Sequence, residues 1–291
     1  MDLSVCIVSY NTKDRLRMCL RTVYASRWDG TFEVVVADNG STDGSAEMVA
    51  AEFPNVRLIR NTGNVGYAKA NNQAIARARG RYVLLLNPDV EVARDSLAKM
   101  LEYMDGHPAV GVAGCKVVKP DGKLDLACRR SFPTPASSLY RLTGLSLLFP
   151  KSRFASYNLT YLPEDQIAEV DSVMGAFLMI RAEVIAKIGL LDESFFMYGE
   201  DIDWCFRAKA SGYQVMYVPI TSVVHHKGSA SRKVSRRALY EFHNAMQIFY
   251  DKHYRPHYNF LVNWFVGTGI WARYYWKILQ NSMRREKYVS K

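Results

Sequence analysis

Apolar segments of strand length alternate with segments of helical spacing through the first hundred residues. Strands are predicted at 3–9, 32–37, 56–60 and 83–86, with helices near 13–25, 44–53 and 66–78 between them. Parallel strands need long crossover connections, usually helices, so this alternation is typical of βαβ units around a parallel sheet. We therefore predict an α/β, Rossmann-like fold in which helices flank a mainly parallel central sheet.

The pattern changes after a predicted helix near 96–104. Segments 110–119 and 124–130 flank Pro120-Asp121-Gly122, which predicts a hairpin. A strand at 173–180, helices at 182–188 and 201–211, and a strand at 214–218 complete a predicted domain of residues 1–231.

Charge and cysteine content narrow the classes of protein. A formal net charge of +10 requires an anionic partner: nucleic acid, a membrane surface or a phosphorylated substrate. The five cysteines are scattered and include no CxxC pair, which favours reduced thiols in a cytoplasmic setting over disulfides or a zinc site. No signal peptide is expected, because the first residues lead straight into a strand.

The strand at 83–86 ends in Asn87-Pro88-Asp89. Pro88 favours an extended Asn87, so Asn87 and Asp89 should project to the same side. An amide and a carboxylate then lie at the carboxyl end of a central strand, where open α/β sheets bind ligands. A lone Asp there can hold Mg²⁺ or Mn²⁺ against a diphosphate. The alternative is a strand-ending turn, since all three residues are turn formers.

Two other loops carry polar residues at predicted strand ends. Asp38 ends the second strand, where its carboxylate can accept the N3–H of a uracil or thymine ring; Ser41 or Asp43 then caps the next helix. Residues 61–66, Asn-Thr-Gly-Asn-Val-Gly, open a helix that contains Lys69. Glycines let backbone approach a ligand closely and a helix N-terminus favours anions, although such a turn alone is a weak signal.

Taken together, the loops resemble glycosyltransferase family 2, which has the GT-A fold. The resemblance includes Val-Ser-Tyr-Asn at 8–11, Asp-Asn-Gly-Ser-Thr-Asp at 38–43, Asn-x-Gly-Asn-x-Gly at 61–66 and Asn-Pro-Asp at 87–89. It continues with Gly175-Ala176-Phe177, with Gly199-Glu200-Asp201-Ile202-Asp203, and with His226 before Gly228-Ser229-Ala230-Ser231. It thus covers roughly residues 1–231.

The resemblance implies a donor site. Its nucleotide-sugar residues are Ser9, Tyr10, Asn11, Asp38, Gly66, Lys69, Asn87 and Asp89. Within it, Asp38 reads the base, and Asn87 and Asp89 occupy the family's DxD position. Because Asn87 replaces the first Asp, binding of Mg²⁺ or Mn²⁺ should depend more on Asp89 and the diphosphate. His226 resembles a residue that completes the metal shell in some relatives; the adjacent His225 is the alternative ligand.

The resemblance also implies an acceptor site around a catalytic base. Asp201 matches the base that takes the proton of the acceptor hydroxyl. The residues expected at the acceptor are Gly175, Ala176, Glu200, Asp203 and Trp204. Among them, Glu200 is expected to bind acceptor hydroxyls, Asp203 to orient the site and Trp204 to stack on a sugar ring. Alternatively the three acids cap a helix, whose N-terminus should keep them ionised. Arg129 and Arg130 are candidates to meet acceptor phosphates, or else lie on a solvated face.

Residues 232–291 form a predicted helical, basic and aromatic extension. The apolar run at 260–272 is too short to span a bilayer, which needs roughly 20 apolar residues. Aromatic residues and the basic end, including Arg284, Arg285, Lys287 and Lys291, suit a helix in the headgroup layer, so residues 259–291 are predicted to bind a membrane surface. The alternative is packing on the chain's own core or on a second subunit.

The pattern is also similar to the bacterial rhamnosyltransferase branch of the family. That implies an inverting, metal-dependent transferase at the cytoplasmic side of the membrane, moving L-rhamnose from dTDP-L-rhamnose to a polyprenyl-diphosphate-linked saccharide. A UDP-sugar donor and a non-catalytic membrane-attached scaffold are the alternatives, and homo-oligomerisation is left open. An oxidoreductase is disfavoured because no G-x-G-x-x-G follows the first strand, and a nucleic-acid partner because no recognition motif occurs.

Overall fold

The computed structural model describes residues 1–142, 148–149, 152, 157–226 and 235–283. Its strands are β1 (Leu3–Ser9), β2 (Phe32–Asp38), β3 (Arg57–Arg60), β4 (Tyr82–Leu86), β5 (Val90–Val92), β6 (Val110–Val118), β7 (Arg129–Arg130), β8 (Ala168–Glu169), β9 (Ser172–Val173), β10 (Phe177–Arg181) and β11 (Gln214–His225). Its helices are α1 (Lys13–Tyr24), α2 (Ser45–Glu52), α3 (Tyr67–Ile75), α4 (Ser96–Gly106), α5 (Pro135–Leu142), α6 (Ala182–Ile188), α7 (Glu200–Ala210), α8 (Ser235–His253) and α9 (Phe260–Ser282).

The main sheet has the order β3-β2-β1-β4-β10-β6-β11-β5, with β8 added on β11. Strands β3, β2, β1 and β4 run parallel, β10 lies antiparallel between β4 and β6, and β11 runs parallel to β6. Every residue of β1 and of β4 is buried, as expected for strands covered by helices on both faces. The predicted α/β fold with a mainly parallel sheet is confirmed.

Two predicted strands are wrong in part. The predicted hairpin partner at 124–130 forms only one bridge, Leu124 to Val118, followed by a 3₁₀ turn at Leu126–Cys128 and by β7. The side chain of Asp125 accepts a hydrogen bond from the backbone N–H of Ala127 (3.2 Å), so a local cap competes with the ladder. The predicted strand at 173–180 is broken into β9 and β10.

The last sheet strand is longer than predicted. We expected it to end at Val218, but β11 continues to His225, past Pro219, through an irregularity between Val218 and Ser222. Proline is tolerated where a ladder is already interrupted. The extension matters for the site, because it pairs His225 with Val90 beside the Asn87-Pro88-Asp89 loop.

The C-terminal helices also differ from expectation. α9 contains 23 residues instead of the 13 of the apolar run at 260–272. Within the described residues, no helix combines the length and apolar character needed to cross a bilayer. The Gly228–Ser231 motif and the basic end with Arg284 lie outside the described residues, as does the predicted domain boundary at 231/232, which stays a prediction.

Candidate active site

The carboxyl ends of β2, β4 and β11 bring Asp38, Asp89 and His225 to one edge of the sheet. Because β10 runs antiparallel, its first residue lies opposite the last residue of β4, and the Asn87 N–H donates to the Ala176 carbonyl (3.1 Å). The segment between β9 and β10, residues 174–176, therefore contacts the Asn87-Pro88-Asp89 loop. Sequence reasoning placed these segments in one site, and here they share one edge.

Asp38 is buried and held by one of its two oxygens. Its Oδ1 accepts the Ser41 N–H (3.0 Å), whereas Oδ2 has no hydrogen-bond partner among the described residues. Buried carboxylate oxygens are normally satisfied, so an oxygen left in this state is suited to accept a donor from a ligand. The N3–H of a pyrimidine ring is such a donor.

The side chains of Asn39 and Asn11 form hydrogen bonds with the loops around Asp38. Asn39 Oδ1 accepts the Val65 N–H (3.0 Å), and its Nδ2 donates to Asn64 Oδ1 (2.9 Å). Asn11, in the left-handed region with φ of 53°, accepts the Thr42 N–H on its Oδ1 (2.9 Å). These amides support the site from within the protein.

The remaining predicted donor residues have different surroundings. Ser9 is buried and its Oγ bonds Thr12 Oγ1 (2.9 Å), and Tyr10 is half-buried. Gly66 has φ of 95°, and a Cβ there would lie 3.0 Å from the Phe196 carbonyl oxygen, so glycine is needed for close packing against the segment before α7. Lys69 lies on the exposed side of α3 and makes no ion pair in the described part of the chain.

Tyr67 joins the donor and acceptor parts, and sequence reasoning missed it. Its hydroxyl lies 3.0 Å from Asn87 Oδ1 and 3.2 Å from the Gly175 carbonyl oxygen, both acceptors for its single proton. Burial raises the pKa of Tyr67 well above its usual value, and the nearby acids Glu200, Asp201 and Asp89 add to that shift. Tyr67 therefore acts as a proton donor that fixes Asn87. The sequence signal that could have pointed to Tyr67 is its position directly after the loop at 61–66, at the start of α3.

The structure places His225, and not the preferred His226, against Asp89. His225 Nε2 lies 3.2 Å from Asp89 Oδ1, and its Nδ1 lies 3.6 Å from Asp125 Oδ2. The ring of His226 instead contacts Glu91, and its backbone N–H donates to the Asp89 carbonyl (2.9 Å). Successive residues at the end of a strand point to opposite sides, so only one of the two imidazoles can face Asp89.

Asp89 and His225 are the side chains at this edge that could hold a divalent ion shared with a substrate. No cluster of three or more His, Cys, Asp or Glu side chains able to hold a metal occurs among the described residues. Mg²⁺ commonly binds through one or two carboxylates together with substrate phosphates and water, without a complete protein cage. Asp89 and His225 offer such an incomplete set.

Asp201 lies at the first turn of α7 and is buried. Its Oδ2 accepts Arg130 Nη2 (2.7 Å) and the Gly175 N–H (3.0 Å), and its Oδ1 accepts the Ile202 N–H (2.8 Å). An ionised oxygen has room for about two hydrogen bonds, so Oδ1 keeps one position for a further donor. The carboxylate is thus oriented by three groups, and its Oδ1 can accept one further hydrogen bond.

Arg129 and Arg130 are not on a solvated face, which corrects that alternative, and neither is placed to meet a phosphate. Arg130 is buried against Asp201; burial disfavours its charge, but the Asp201 carboxylate outweighs this and raises the pKa of Arg130. Arg129 is buried too and donates to the carbonyls of Pro163 (2.6 Å) and Leu162 (2.7 Å). Arg130 therefore orients the Asp201 carboxylate, and Arg129 holds the backbone at Leu162 and Pro163.

The helix N-terminus does not keep all three acids ionised. Glu200 is buried, and its Oε2 has no hydrogen-bond partner in the described part of the chain. Burial, followed by repulsion from Asp201, raises the pKa of Glu200 to about 8. The expectation of uniformly ionised acids is therefore wrong for Glu200, because desolvation exceeds the influence of the helix end.

Asp203 and Trp204 point away from any acceptor, which corrects their predicted roles. Asp203 is fully buried and accepts His253 (2.7 Å), Lys252 (2.8 Å) and Arg207 (2.8 Å). Burial disfavours its charge, but the hydrogen bonds from His253 and Lys252 prevail and lower the pKa of Asp203 to about 2. Trp204 is also fully buried, and its Nε1 donates to the Gly189 carbonyl (2.9 Å).

Comparison with known proteins identifies the family. The sequence profile described as "Glycosyl transferase family 2" matches residues 4–164, which is more than half of the chain. The chain belongs to glycosyltransferase family 2. It is accordingly a nucleotide-sugar-dependent glycosyltransferase, as predicted.

Two curated relatives are rhamnosyltransferases. The chain is 27% identical over 263 residues to "N-acetylglucosaminyl-diphospho-decaprenol L-rhamnosyltransferase" of Mycobacterium tuberculosis (strain ATCC 25618 / H37Rv), covering 86% of this chain and 85% of that protein. It is 24% identical over 245 residues to "Rhamnosyltransferase WbbL" of Escherichia coli (strain K12), covering 81% of this chain and 87% of the relative. The predicted similarity to the rhamnosyltransferase branch is confirmed.

Solved structures support the GT-A fold. The mannosyltransferase PcManGT from Pyrobaculum calidifontis, in complex with GDP-Man and Mn²⁺, superposes with a TM-score of 0.56 at 21% identity. The match covers 84% of this chain and 64% of that one. S. aureus TarS 1-349 in complex with UDP-GlcNAc gives a TM-score of 0.57 at 18% identity, over 85% of this chain and 65% of that one. The chain thus spans slightly less than two thirds of either structure.

Proposed function

We propose that the chain transfers L-rhamnose from dTDP-L-rhamnose to a hydroxyl of a polyprenyl-diphosphate-linked saccharide, with inversion at the anomeric carbon. The observation that carries this proposal is the arrangement at the sheet edge, where Tyr67 connects Asn87 to the backbone that holds Asp201. The names of the rhamnosyltransferase relatives favour the sugar and the lipid-linked acceptor. The enzyme would act in cell-surface polysaccharide synthesis.

The donor would bind along the strand ends. Asp38 Oδ2 is the acceptor available for the N3–H of thymine or uracil, which distinguishes a pyrimidine from a purine nucleotide. Asp89 and His225 would hold Mg²⁺ or Mn²⁺, which when bound supplies charge neutralisation for the departing diphosphate. Asn87, fixed by Tyr67, lines the same edge and removes one negative charge that a second Asp would place there.

Asp201 would act as the general base. As the acceptor oxygen attacks the anomeric carbon from the face opposite the diphosphate, the bond from that carbon to the diphosphate oxygen breaks and the hydroxyl proton moves to Asp201 Oδ1. General bases of this kind contribute on the order of 10²–10⁴-fold to rate. Arg130 and the Gly175 N–H hold Oδ2, which leaves Oδ1 to face the acceptor. Glu200, buried beside Asp201, would contact acceptor hydroxyls.

A membrane surface is the proposed location of the reaction. The exposed side of α9 forms a stripe without charged residues, hereafter the α9 stripe: Leu261, Trp264, Phe265, Thr268, Ala272, Tyr275, Trp276, Leu279 and Met283. The residues recur at spacings of three and four, so they share one face over about 33 Å of helix. An uncharged aromatic face of this length suits the headgroup layer, where a polyprenyl carrier presents its saccharide.

A donor panel tests the proposed function. Purified protein is given dTDP-L-rhamnose, UDP-sugars or GDP-mannose with polyprenyl-diphosphate-linked N-acetylglucosamine, with Mn²⁺, Mg²⁺ or EDTA present, and product anomers are determined by NMR. We expect transfer from dTDP-L-rhamnose with inverted configuration and loss of activity in EDTA. Transfer from a UDP-sugar alone would favour the alternative donor. Absence of transfer and of metal-dependent nucleotide binding would favour the scaffold.

A further inference from the structure

A cavity beside Asp89 shares His225 with the proposed metal site, but its cationic residues have no role assigned above. Its volume is about 370 Å³, and it is lined by Arg15, Lys119, Pro120, Asp121, His225 and His226. Three separate elements build it: the first turn of α1, the turn after β6 and the end of β11. Because these elements meet only in the folded chain, the cavity was not evident from the sequence.

The side chains of this cavity are mostly basic. Arg15 is half-buried and Lys119 exposed, and neither forms an ion pair with any residue that the structure describes. The lining carboxylate, Asp121, bonds the Lys123 N–H (3.1 Å) and lies 3.8 Å from the Lys123 ammonium. The imidazoles of His225 and His226 face Asp89 and Glu91, so Arg15 and Lys119 are the lining cations that remain available to an anionic group.

We propose that this cavity binds a phosphate group of one of the two substrates, with Arg15 and Lys119 as the principal cationic contacts. The inference rests on the proposed function, in which the donor and the lipid carrier each contain a diphosphate. Arginine recognises phosphate through its planar fork of donors and lysine binds it as a point charge. The position next to Asp89 has a chemical reason. Because Asn87 replaces an acid that would help to hold the metal ion, the site has one ligand fewer for that ion. Side-chain cations then take over part of the neutralisation of phosphate charge.

The test uses Arg15→Ala and Lys119→Ala in the full-length protein, with Lys99→Ala and Arg21→Ala as controls. Lys99 is an exposed lysine of α4 and Arg21 shares α1 with Arg15, but neither lines the cavity. Calorimetric titration gives the Kd of dTDP and UDP in Mn²⁺, and kinetics at saturating donor give KM for the lipid-linked acceptor. Thermal unfolding of each variant verifies the fold, and Arg15→Lys tests whether the charge alone suffices.

A rise of about tenfold in nucleotide Kd for both cavity variants assigns the cavity to the donor diphosphate. A similar rise in acceptor KM, with nucleotide Kd unchanged, assigns it to the phosphate of the lipid carrier. Either result supports the proposal if both control variants behave as the wild type does. Cavity variants indistinguishable from Lys99→Ala and Arg21→Ala in both measurements would overturn it. Wild-type protein that neither binds nucleotide nor transfers sugar would instead refute the proposed function.

Discussion

The two C-terminal helices, α8 and α9, differ sharply although the sequence assigned them to one extension. α8 packs against the catalytic helix α7: Ala245 and Phe249 form a buried cluster with Ile202 and Phe195. α9 buries only Ile270 among its 23 residues. We therefore propose that α8 belongs to the catalytic unit, whereas every residue of α9 except Ile270 is half-buried or exposed.

Polar contacts reinforce this difference. His253 and Lys252, at the end of α8, both bond the buried Asp203 of α7, two residues after Asp201. The His253 ring lies 4.0 Å from that of Phe206, measured between centroids, so it is held between aromatic and ionic partners. α9 is joined to α8 by a hydrogen bond from the Tyr250 hydroxyl to Asn263 Oδ1 (2.6 Å). We expect α7 to depend on α8 and to be insensitive to the α9 stripe.

Two truncations would sharpen the comparison most. A chain of residues 1–258 keeps α8 and should unfold cooperatively near the wild-type temperature, because α9 buries little. A chain of residues 1–226 exposes the aromatic cluster on α7 and leaves Asp203 without its hydrogen bonds from Lys252 and His253, so it should fail to fold. Circular dichroism and thermal unfolding measure both. Equal stability of the two truncations would contradict the assignment of α8 to the catalytic unit.

Removing the buried charge between α7 and α8 should have the next largest effect. Asp203→Asn leaves Arg207, Lys252 and His253 without their carboxylate, and breaking a buried pair in this way costs about 3–5 kcal/mol in the free energy of unfolding. Asp251→Asn, in an exposed pair with Arg255, is the matched control and should cost less than about 1 kcal/mol. Urea denaturation distinguishes them. Similar losses in both variants would mean that the α7–α8 charges do not anchor the helix.

The free energy of unfolding should depend on pH through the protonation of Glu200. Its pKa of about 8 in the folded chain exceeds the ordinary value of 4.5, so the folded state binds more protons than the unfolded state between those values. The free energy of unfolding therefore falls as pH rises through that window. Glu200→Gln should remove this decline, whereas Glu102→Gln, at an exposed position of α4, should leave it. A decline that persists in Glu200→Gln would assign it to another group.

Substitutions on the α9 stripe should change membrane binding and little else. Phe265→Glu places a charge on the exposed apolar face and should weaken sedimentation with phosphatidylglycerol-containing vesicles by about tenfold, with an unchanged unfolding temperature. Gln280→Glu adds the same charge to the half-buried side of α9 and serves as the control. If Phe265→Glu instead dissociates an oligomer in analytical ultracentrifugation and vesicle binding is unaffected, the stripe is a subunit interface.

The sequence predicted the strand ends well because their signals are local. Apolar runs ending in Asn87-Pro88-Asp89 and in Asp38 predict both the strands and the polar edge. Side-chain direction was harder to obtain, since tertiary packing decides it. Trp204 follows Asp201 by three residues on α7, and only the packed helix reveals that its ring lies in the core.

Long-range pairs account for the other differences. Arg130 reaches Asp201 across 71 positions of sequence, and Tyr67 reaches Gly175 across 108. No spacing rule connects such residues in a single sequence. The choice between His225 and His226 likewise depends on how β11 pairs with β5, which a strand predicted to end at Val218 could not indicate.

The most direct test of the account is Asp201→Asn, measured for both turnover and nucleotide affinity at a temperature where the variant is folded. We predict a fall in kcat of about 10³-fold, within the range for loss of a general base, with the Kd for dTDP in Mn²⁺ changed less than about twofold. Retained turnover would contradict the assignment of Asp201 as the base. A parallel loss of nucleotide binding would show that Asp201 supports the structure of the site instead of the chemical step.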